Sequence, residues 1–387
     1  MSKNRVIAIY LPQFHPTEIN NKIWGKGFTE WTNVALAKPQ FKGHYQPQIP
    51  SELGFYDLRL DEVRIEQAKL AKQYGIEGFC YWHYWFGDGK KALEMPFQRL
   101  LETKEPDFPF CLAWANHSWS TKTWNNVSKN SKEQEFLKQE YLGKEDYIKH
   151  FNYVLPAFKD QRYICVDGKP LFAIFNPKEI PEDELKKIID LWNRLARENG
   201  LKGIHFVARV EKIAKLTDSD IKERIKGSSK DFYQKYLDMG FDAIWPESMR
   251  KAEILSKGFF KMFIKRVLYH SLKIRLIDKY NYKDIINNFY NDYEKEENVY
   301  PMIIPRWDKT PRQGKIATIY QGSSPKIFKK HVKDALELVK SKKSEHQIIF
   351  LQAWNEWGEG NYIEPDVKFG RGYLEALKEA LDEENKE

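Results

Sequence analysis

Eight short apolar runs, most of them separated by amphipathic stretches, constrain this chain more than any other feature. They fall at 5–11, 77–83, 108–114, 170–175, 203–209, 241–246, 301–305 and 347–353. Each has the length and the β-branched or aromatic content of a buried strand. Helical spacing of apolar residues runs through 61–74, 144–158, 181–199, 230–239, 325–342 and 372–383. Strands that alternate with helices pair in parallel, and eight such units predict a closed (β/α)8 barrel spanning 1–387 as one domain. A chain of 387 residues with 42% hydrophobic content can bury the core this needs.

Two excursions interrupt the alternation. Residues 14–60 are rich in Gly, Pro and aromatics and read as a long functional loop without evident secondary structure. Residues 250–300 read as a basic amphipathic helical insertion. Within 250–283, ten Lys or Arg (250, 251, 257, 261, 265, 266, 273, 275, 279, 283) face two acids, Glu253 and Asp278, so the segment accounts for the net charge of +8. Lys257, Lys261 and Lys265 form a stripe beside Phe259, Phe263 and Val267. Such a helix suits either the surface of an anionic bilayer or the flank of the barrel.

Composition removes several function classes. There is no P-loop, no GxGxxG opening a helix and no nucleic-acid-binding motif beside the basic residues, so nucleotides and nucleic acid are not expected as partners. The nine histidines form no metal-binding spacing, so no metal and no cofactor is expected. Asp218-Ser219-Asp220 has a DxD pattern but reads as a polar helix start. Cys80, Cys111 and Cys165 are odd in number and lack CxxC spacing, which suits reduced core residues of a cytoplasmic protein. No apolar leader follows Met1, and no run approaches a membrane span.

The chemistry concentrates after the eighth run, in Trp354-Asn355-Glu356-Trp357-Gly358-Glu359-Gly360 followed by Glu364-Pro365. Two carboxylates held close together cannot ionise equally easily, so one can act as acid while the other acts as base. Trp354 and Trp357 are candidate platforms for sugar rings, with Asn355 as an orienting amide and Glu364 as a further polar contact. Barrel sites form at the C-terminal strand ends. That rule selects His15 after the first run, Tyr81, Trp82, His83, Tyr84 and Trp85 after the second, and Trp114, Asn116 and Trp119 around the end of the third. Arg209, Glu247, Arg306, Trp307 and Asp308 follow at the fifth to seventh. Trp24 and Glu30 join them from the WGKGFTEW stretch. Twelve tryptophans are many for one chain, and Trp82, Trp85, Trp114, Trp119, Trp124, Trp307, Trp354 and Trp357 read as a lined groove, with Trp245 as core.

LPQFHP at 11–16, WGKGFTEWTNV at 24–34, GFCYWHYWF at 78–86, LAWANHSW at 112–119 and WNEWGEG at 354–360 together resemble the WbsX family. Its members carry a domain similar to glycoside hydrolase family 99 and occur in bacterial polysaccharide and O-antigen biosynthesis clusters. Similarity to the family 99 endo-α-mannosidases themselves concentrates in the Glu356 to Glu364 region. The resemblance implies a (β/α)8 barrel and metal-free retaining hydrolysis of α-mannosides, in which the sugar's own 2-hydroxyl attacks the anomeric carbon to give a 1,2-anhydro intermediate. It implies that Glu356 assists the 2-hydroxyl as base and that Glu359 protonates the leaving oxygen and then activates water. The expected partner is an oligosaccharide or polysaccharide, lipid-linked where the basic segment meets the inner face of a membrane. A glycosyltransferase of lipopolysaccharide synthesis and a non-catalytic glycan-binding protein remain the alternatives.

Overall fold

Strings of apolar residues with no polar interruption cannot face water on either side, and here each becomes a strand covered on both faces. The computed structural model describes residues 4–121, 134–211, 229–257 and 277–386, with Val267 and Ser271. The strands are β1 (Arg5–Tyr10), β2 (Ile76–Trp85), β3 (Phe110–Trp114), β4 (Lys169–Ile174), β5 (His205–Val210), β6 (Ala243–Pro246), β7 (Met302–Ile303) and β8 (Ile348–Leu351). They pair in parallel in the order β6-β5-β4-β3-β2-β1-β8-β7. Register is set by pairs such as Arg5 with Ile348 and Tyr10 with Tyr81. An isolated parallel bridge between Ile244 and Val299 joins the two ends of the sheet. There the Ile244 amide donates to Asn298 O and the Tyr300 amide to Ile244 O, each at 2.8 Å. The expected (β/α)8 barrel is the observed fold.

Helices α1 (Asp61–Gln73), α2 (Met95–Thr103), α3 (Lys144–Phe158), α4 (Glu182–Glu198), α5 (Ser229–Asp238), α6 (Tyr282–Asn287), α7 (Pro325–Val339) and α8 (Gly372–Glu384) follow the strands in turn. α2 and α6 escaped the periodicity reading because each spans few turns. α4 shows why the longer ones did not: Leu185, Ile188, Ile189 and Trp192 lie on one buried stripe, and Glu182, Asp183 and Glu184 favour its positive N-terminus. α7 starts at Ser324, whose side chain caps the Ile327 amide, with Pro325 in the first turn.

The excursion after β1 departs from expectation. It holds two helices, Glu18–Trp24 and Glu30–Leu36, started by Thr17 and Thr29 and too short for periodicity to reveal. Phe14, Trp31, Tyr56 and Leu58 bury it against the barrel, and Trp31 Nε1 donates to Tyr56 O at 2.8 Å. The second excursion is less purely helical than its pattern suggests. After the helix Met249–Lys257 it supplies a strand, Asp278–Asn281, that pairs with Thr318–Gln321. Lys257 pairs with Asp278 at 2.9 Å, and Lys279 lies over the Phe41 ring. Most of the basic stripe, Trp124 and Asp218-Ser219-Asp220 lie outside the described residues. Among the described residues, no helix is long and apolar enough to cross a membrane.

Candidate active site

The turn after β8 is built so that two carboxylates point into the barrel mouth. Asn355 pairs with the Leu11 backbone in both directions, accepting its amide at 2.8 Å and donating to its carbonyl at 3.0 Å. That amide pins the turn to the end of β1 and places Glu356 next to it. Gly358 is required because a Cβ there would meet Glu30 Oε1 at 2.2 Å. Gly360, at φ +66°, closes the turn where a Cβ would strike Asp308 at 2.9 Å. Glu356 and Glu359 emerge on the same wall of a cavity of about 480 Å³.

Arg312 ties this wall together. Its Nη1 lies 2.8 Å from Glu359 Oε1 and 3.5 Å from Glu356 Oε1, while Nη2 lies 3.0 Å from Glu30 Oε1. Lys309 adds a second cation, 3.2 Å from Glu359. Burial and the neighbouring Glu359 charge push the Glu356 carboxyl above its ordinary pKa. Burial would raise Glu359 too, but Lys309 and Arg312 outweigh it and hold that group below its ordinary value. The two shifts run in opposite directions and favour the proton on Glu356, whereas the expected roles place it on Glu359. The physical reason is that both cations approach Glu359 more closely.

Of the other expected site residues, Trp24, Trp82, Trp119, Arg209, Glu247 and Trp307 line the same cavity. Trp82 stacks over Trp245 at 6.2 Å, and Trp245 over Phe350 at 4.4 Å, so a buried aromatic stack backs the Trp82 ring. The remaining expected residues do not reach the cavity. Tyr81, His83 and Trp85 alternate with Trp82 along β2 and so face the helix layer. His83 Nε2 meets His150 Nε2 of α3 at 2.8 Å, and Trp85 stacks on the same imidazole at 4.7 Å. Trp114 donates to Trp85 O at 3.0 Å, and Tyr81 packs on Tyr10 at 4.5 Å.

Trp354 and Trp357 offer no platform, since both are fully buried. Trp357 is pressed between Tyr362 at 3.5 Å and Trp31 at 5.2 Å, and Trp354 packs on Phe79 at 5.2 Å. Glu364 sits behind them, accepting Trp357 Nε1 at 2.6 Å, Gln67 Nε2 at 2.7 Å and Tyr56 Oη at 3.0 Å. Burial pushes its carboxyl up to about 7. Asn116 braces the turn after β4, donating to Asn176 O at 2.9 Å and accepting its amide at 2.8 Å. Arg306 is spent on Asp366 at 2.6 Å, and Asp308 on His44 and Gln46, each at 2.8 Å. His15 is buried, and that burial lowers its pKa to about 4. Glu30 is buried behind Arg312, where the Gly358 amide donates to it at 2.9 Å.

Sequence reasoning passed over Lys309, Arg312 and His117, all on the cavity wall. Tyr84, one of the strand-end residues after the second run, lines the cavity two positions beyond Trp82, as strand parity requires. Lys309 and Arg312 lie just past the strand-end residues 306–308, on and beside the short helix Thr310–Gln313 whose start no periodicity marks. His117 sits inside LAWANHSW, and its burial lowers its pKa to about 4.

Comparison with known proteins agrees with this architecture. The fold matches a solved glycoside hydrolase-like protein with a TM-score of 0.58 at 14% identity, covering 98% of this chain and 94% of that one. It also matches the family 99 endo-α-mannosidase from Bacteroides thetaiotaomicron in complex with bis-tris-propane, with a TM-score of 0.54 at 15% identity over 99% and 98% of the two chains. At such identities the likeness establishes the fold. In sequence the chain is 31% identical over 379 residues to the uncharacterized protein WxcX of Xanthomonas campestris pv. campestris, strains B100 and ATCC 33913. That match covers 97% of this chain and 49% of WxcX, so the chain spans about half the length of the curated relatives it matches. A family model described as Glycosyltransferase WbsX matches residues 6–377, and the chain belongs to the WbsX family.

Proposed function

We propose that this protein is a carbohydrate-active enzyme that opens α-glycosidic bonds with retention, with Glu356 and Glu359 as the reacting carboxylates. The observation that carries the reading is the pair of buried carboxylates sharing one arginine on the wall of an aromatic-lined cavity. The indoles of Trp24, Trp82, Trp119 and Trp307 offer flat faces to sugar rings, and the polar groups between them fix orientation. The two carboxyls are shifted in opposite directions, one up by burial and one down by its cations, which is the starting condition for acid and base chemistry at one bond.

Arg312 Nη1 touches both carboxylates, so a small shift of the guanidinium toward Glu356 would exchange which of them is neutralised. With the proton then on Glu359, Glu356 takes the proton of the sugar's 2-hydroxyl as its oxygen bonds to the anomeric carbon. Glu359 gives its proton to the departing glycosidic oxygen. Water then loses a proton to Glu359 and opens the 1,2-anhydro sugar at the anomeric carbon, while Glu356 returns the first proton to the 2-oxygen. The substrate class we propose is a bacterial surface polysaccharide or its lipid-linked precursor, handled at the cytoplasmic face where the basic segment would meet anionic lipid.

The family's description favours a second reading, transfer of the sugar to an acceptor hydroxyl that takes the place of water. The deciding experiment follows α-mannan and aryl α-mannoside turnover by NMR in the wild type and in Glu356→Gln and Glu359→Gln. Release of the α anomer first supports the hydrolase. Product that appears only with an added acceptor supports transfer. Release of the β anomer first, or undiminished turnover in both variants, would sink the carboxylate-pair mechanism.

A further inference from the structure

The cavity has a second charged wall that the chemistry above leaves unused, at the ends of β5 and β6. It carries Arg209, Glu211, Glu247, Arg250 and Glu253. Most of these charges are answered within the protein. Arg250 pairs with Glu253 at 2.9 Å, Glu211 with Lys178 at 3.6 Å, and on the opposite wall Lys309 and Arg312 are held by Glu359. Arg209 is different: among the described residues its guanidinium makes no ion pair and no hydrogen bond, and its Nε is buried without a partner.

Its surroundings hold it in place without satisfying it. The guanidinium lies 4.5 Å from the Phe175 ring and 5.6 Å from the Trp245 ring, so aromatic faces pack against it without taking up its donors, and the side chain lines the cavity. Burial disfavours the charge, and Glu247, Glu211, Glu356 and Glu359 support it only through space. Burial also raises the Glu247 carboxyl to about 7, with Arg209 opposing the rise, so near neutral pH this neighbour is a poor counter-ion for Arg209. A half-buried cation whose donors are uncommitted within the protein is placed to answer a ligand that enters the cavity.

We propose that the sugar bound in this cavity carries a single negative charge, a carboxylate as in a hexuronic acid, which accepts the paired hydrogen bonds of Arg209. The planar fork of arginine matches the two oxygens of a carboxylate. Among the described residues that line the cavity, Arg209 is the one uncommitted cation, and one such charge beside Glu211 and Glu247 matches a monoanion better than a dianion. The inference rests on the reading of the cavity as a sugar site, and it narrows that reading to acidic glycans.

The test measures affinity rather than turnover, so that it stands apart from the hydrolase proposal. Saturation-transfer NMR titrations compare the methyl α-glycosides of mannuronic, glucuronic and galacturonic acid with those of mannose, glucose and galactose, using the full chain. A charge-assisted bidentate contact predicts that one acid binds roughly tenfold or more tighter than its neutral counterpart. Arg209→Gln should erase that preference, and Arg209→Lys should restore only part of it. Melting curves of both variants confirm that they fold. Equal affinity within all three pairs, or no measurable binding of any acid, overturns the proposal. A hexose 6-(methyl phosphate) diester that outcompetes every acid in an Arg209-dependent way assigns the anion to a phosphodiester and overturns the carboxylate. Acid preference without any cleavage leaves this inference standing while the hydrolase falls; cleavage of neutral glycans without acid preference does the reverse.

Discussion

Strand β2 presents two faces of almost equal aromatic content with opposite fates. Trp82 and Tyr84 face the cavity, whereas Tyr81, His83 and Trp85 face the helix layer, where Trp85 and His83 close around His150. The same division separates the carboxylates. Glu356 and Glu359 open on the cavity among cations, and Glu364 lies behind the wall among neutral donors. Residue type therefore does not distinguish chemistry from support in this protein; the direction of the side chain does.

The largest expected effect lies on the cavity face. Glu356→Gln and Glu359→Gln should each lower kcat by roughly 10²–10⁴-fold, the range for removing a positioned acid or base. Steady-state kinetics beside melting curves would check this, because the comparison breaks if activity falls only in proportion to lost folded protein. Next comes the outer face. Trp85→Ala, which empties the space against His150 and deletes the contact to Asp146, should cost about 3–5 kcal/mol of stability in urea titration. KM of the remaining folded enzyme should not change, and a raised KM would erase the distinction between the faces.

Glu364 sharpens the comparison through pH. Its carboxyl is raised from an ordinary 4.5 to about 7, so the folded state binds the proton more tightly than the unfolded state. Its stabilising contribution is complete below about 4.5 and is lost as pH rises through about 7, a change of about 3 kcal/mol at most. Glu364→Gln, which cannot ionise, should flatten that part of the stability profile; an unchanged slope would remove Glu364 as its source. The smallest effect is expected from Trp82→Ala, since one stacking face is worth about 0.5–1.5 kcal/mol beyond its burial. It should weaken glycan binding several-fold in titrations that follow a glycan proton, and unaltered affinity would take Trp82 out of the sugar site.

The barrel was legible because its evidence is local and repeated. Each strand is a contiguous apolar string and each long helix carries its own stripe, so β1, α4 and β8 can be read independently. The carboxylate pair was legible for the same reason, since Glu356 and Glu359 share one turn with the glycines it requires. Arg312 was not, because its significance depends on three carboxylates from two distant segments, Glu30, Glu356 and Glu359. Trp357 was misread as a sugar platform because nothing local shows that Trp31 and Tyr362 will cover it.

The amino-acid order by itself determined the (β/α)8 alternation, the rule that chemistry gathers at the strand ends, and the turn that carries two glutamates. The tertiary structure decided which aromatic residues meet the cavity, in which direction each carboxyl of the pair is shifted, and that Arg209 has no partner among the described residues. Burial, strand parity and the distance from Glu359 to Lys309 and Arg312 set those outcomes, and they depend on groups far apart in the chain.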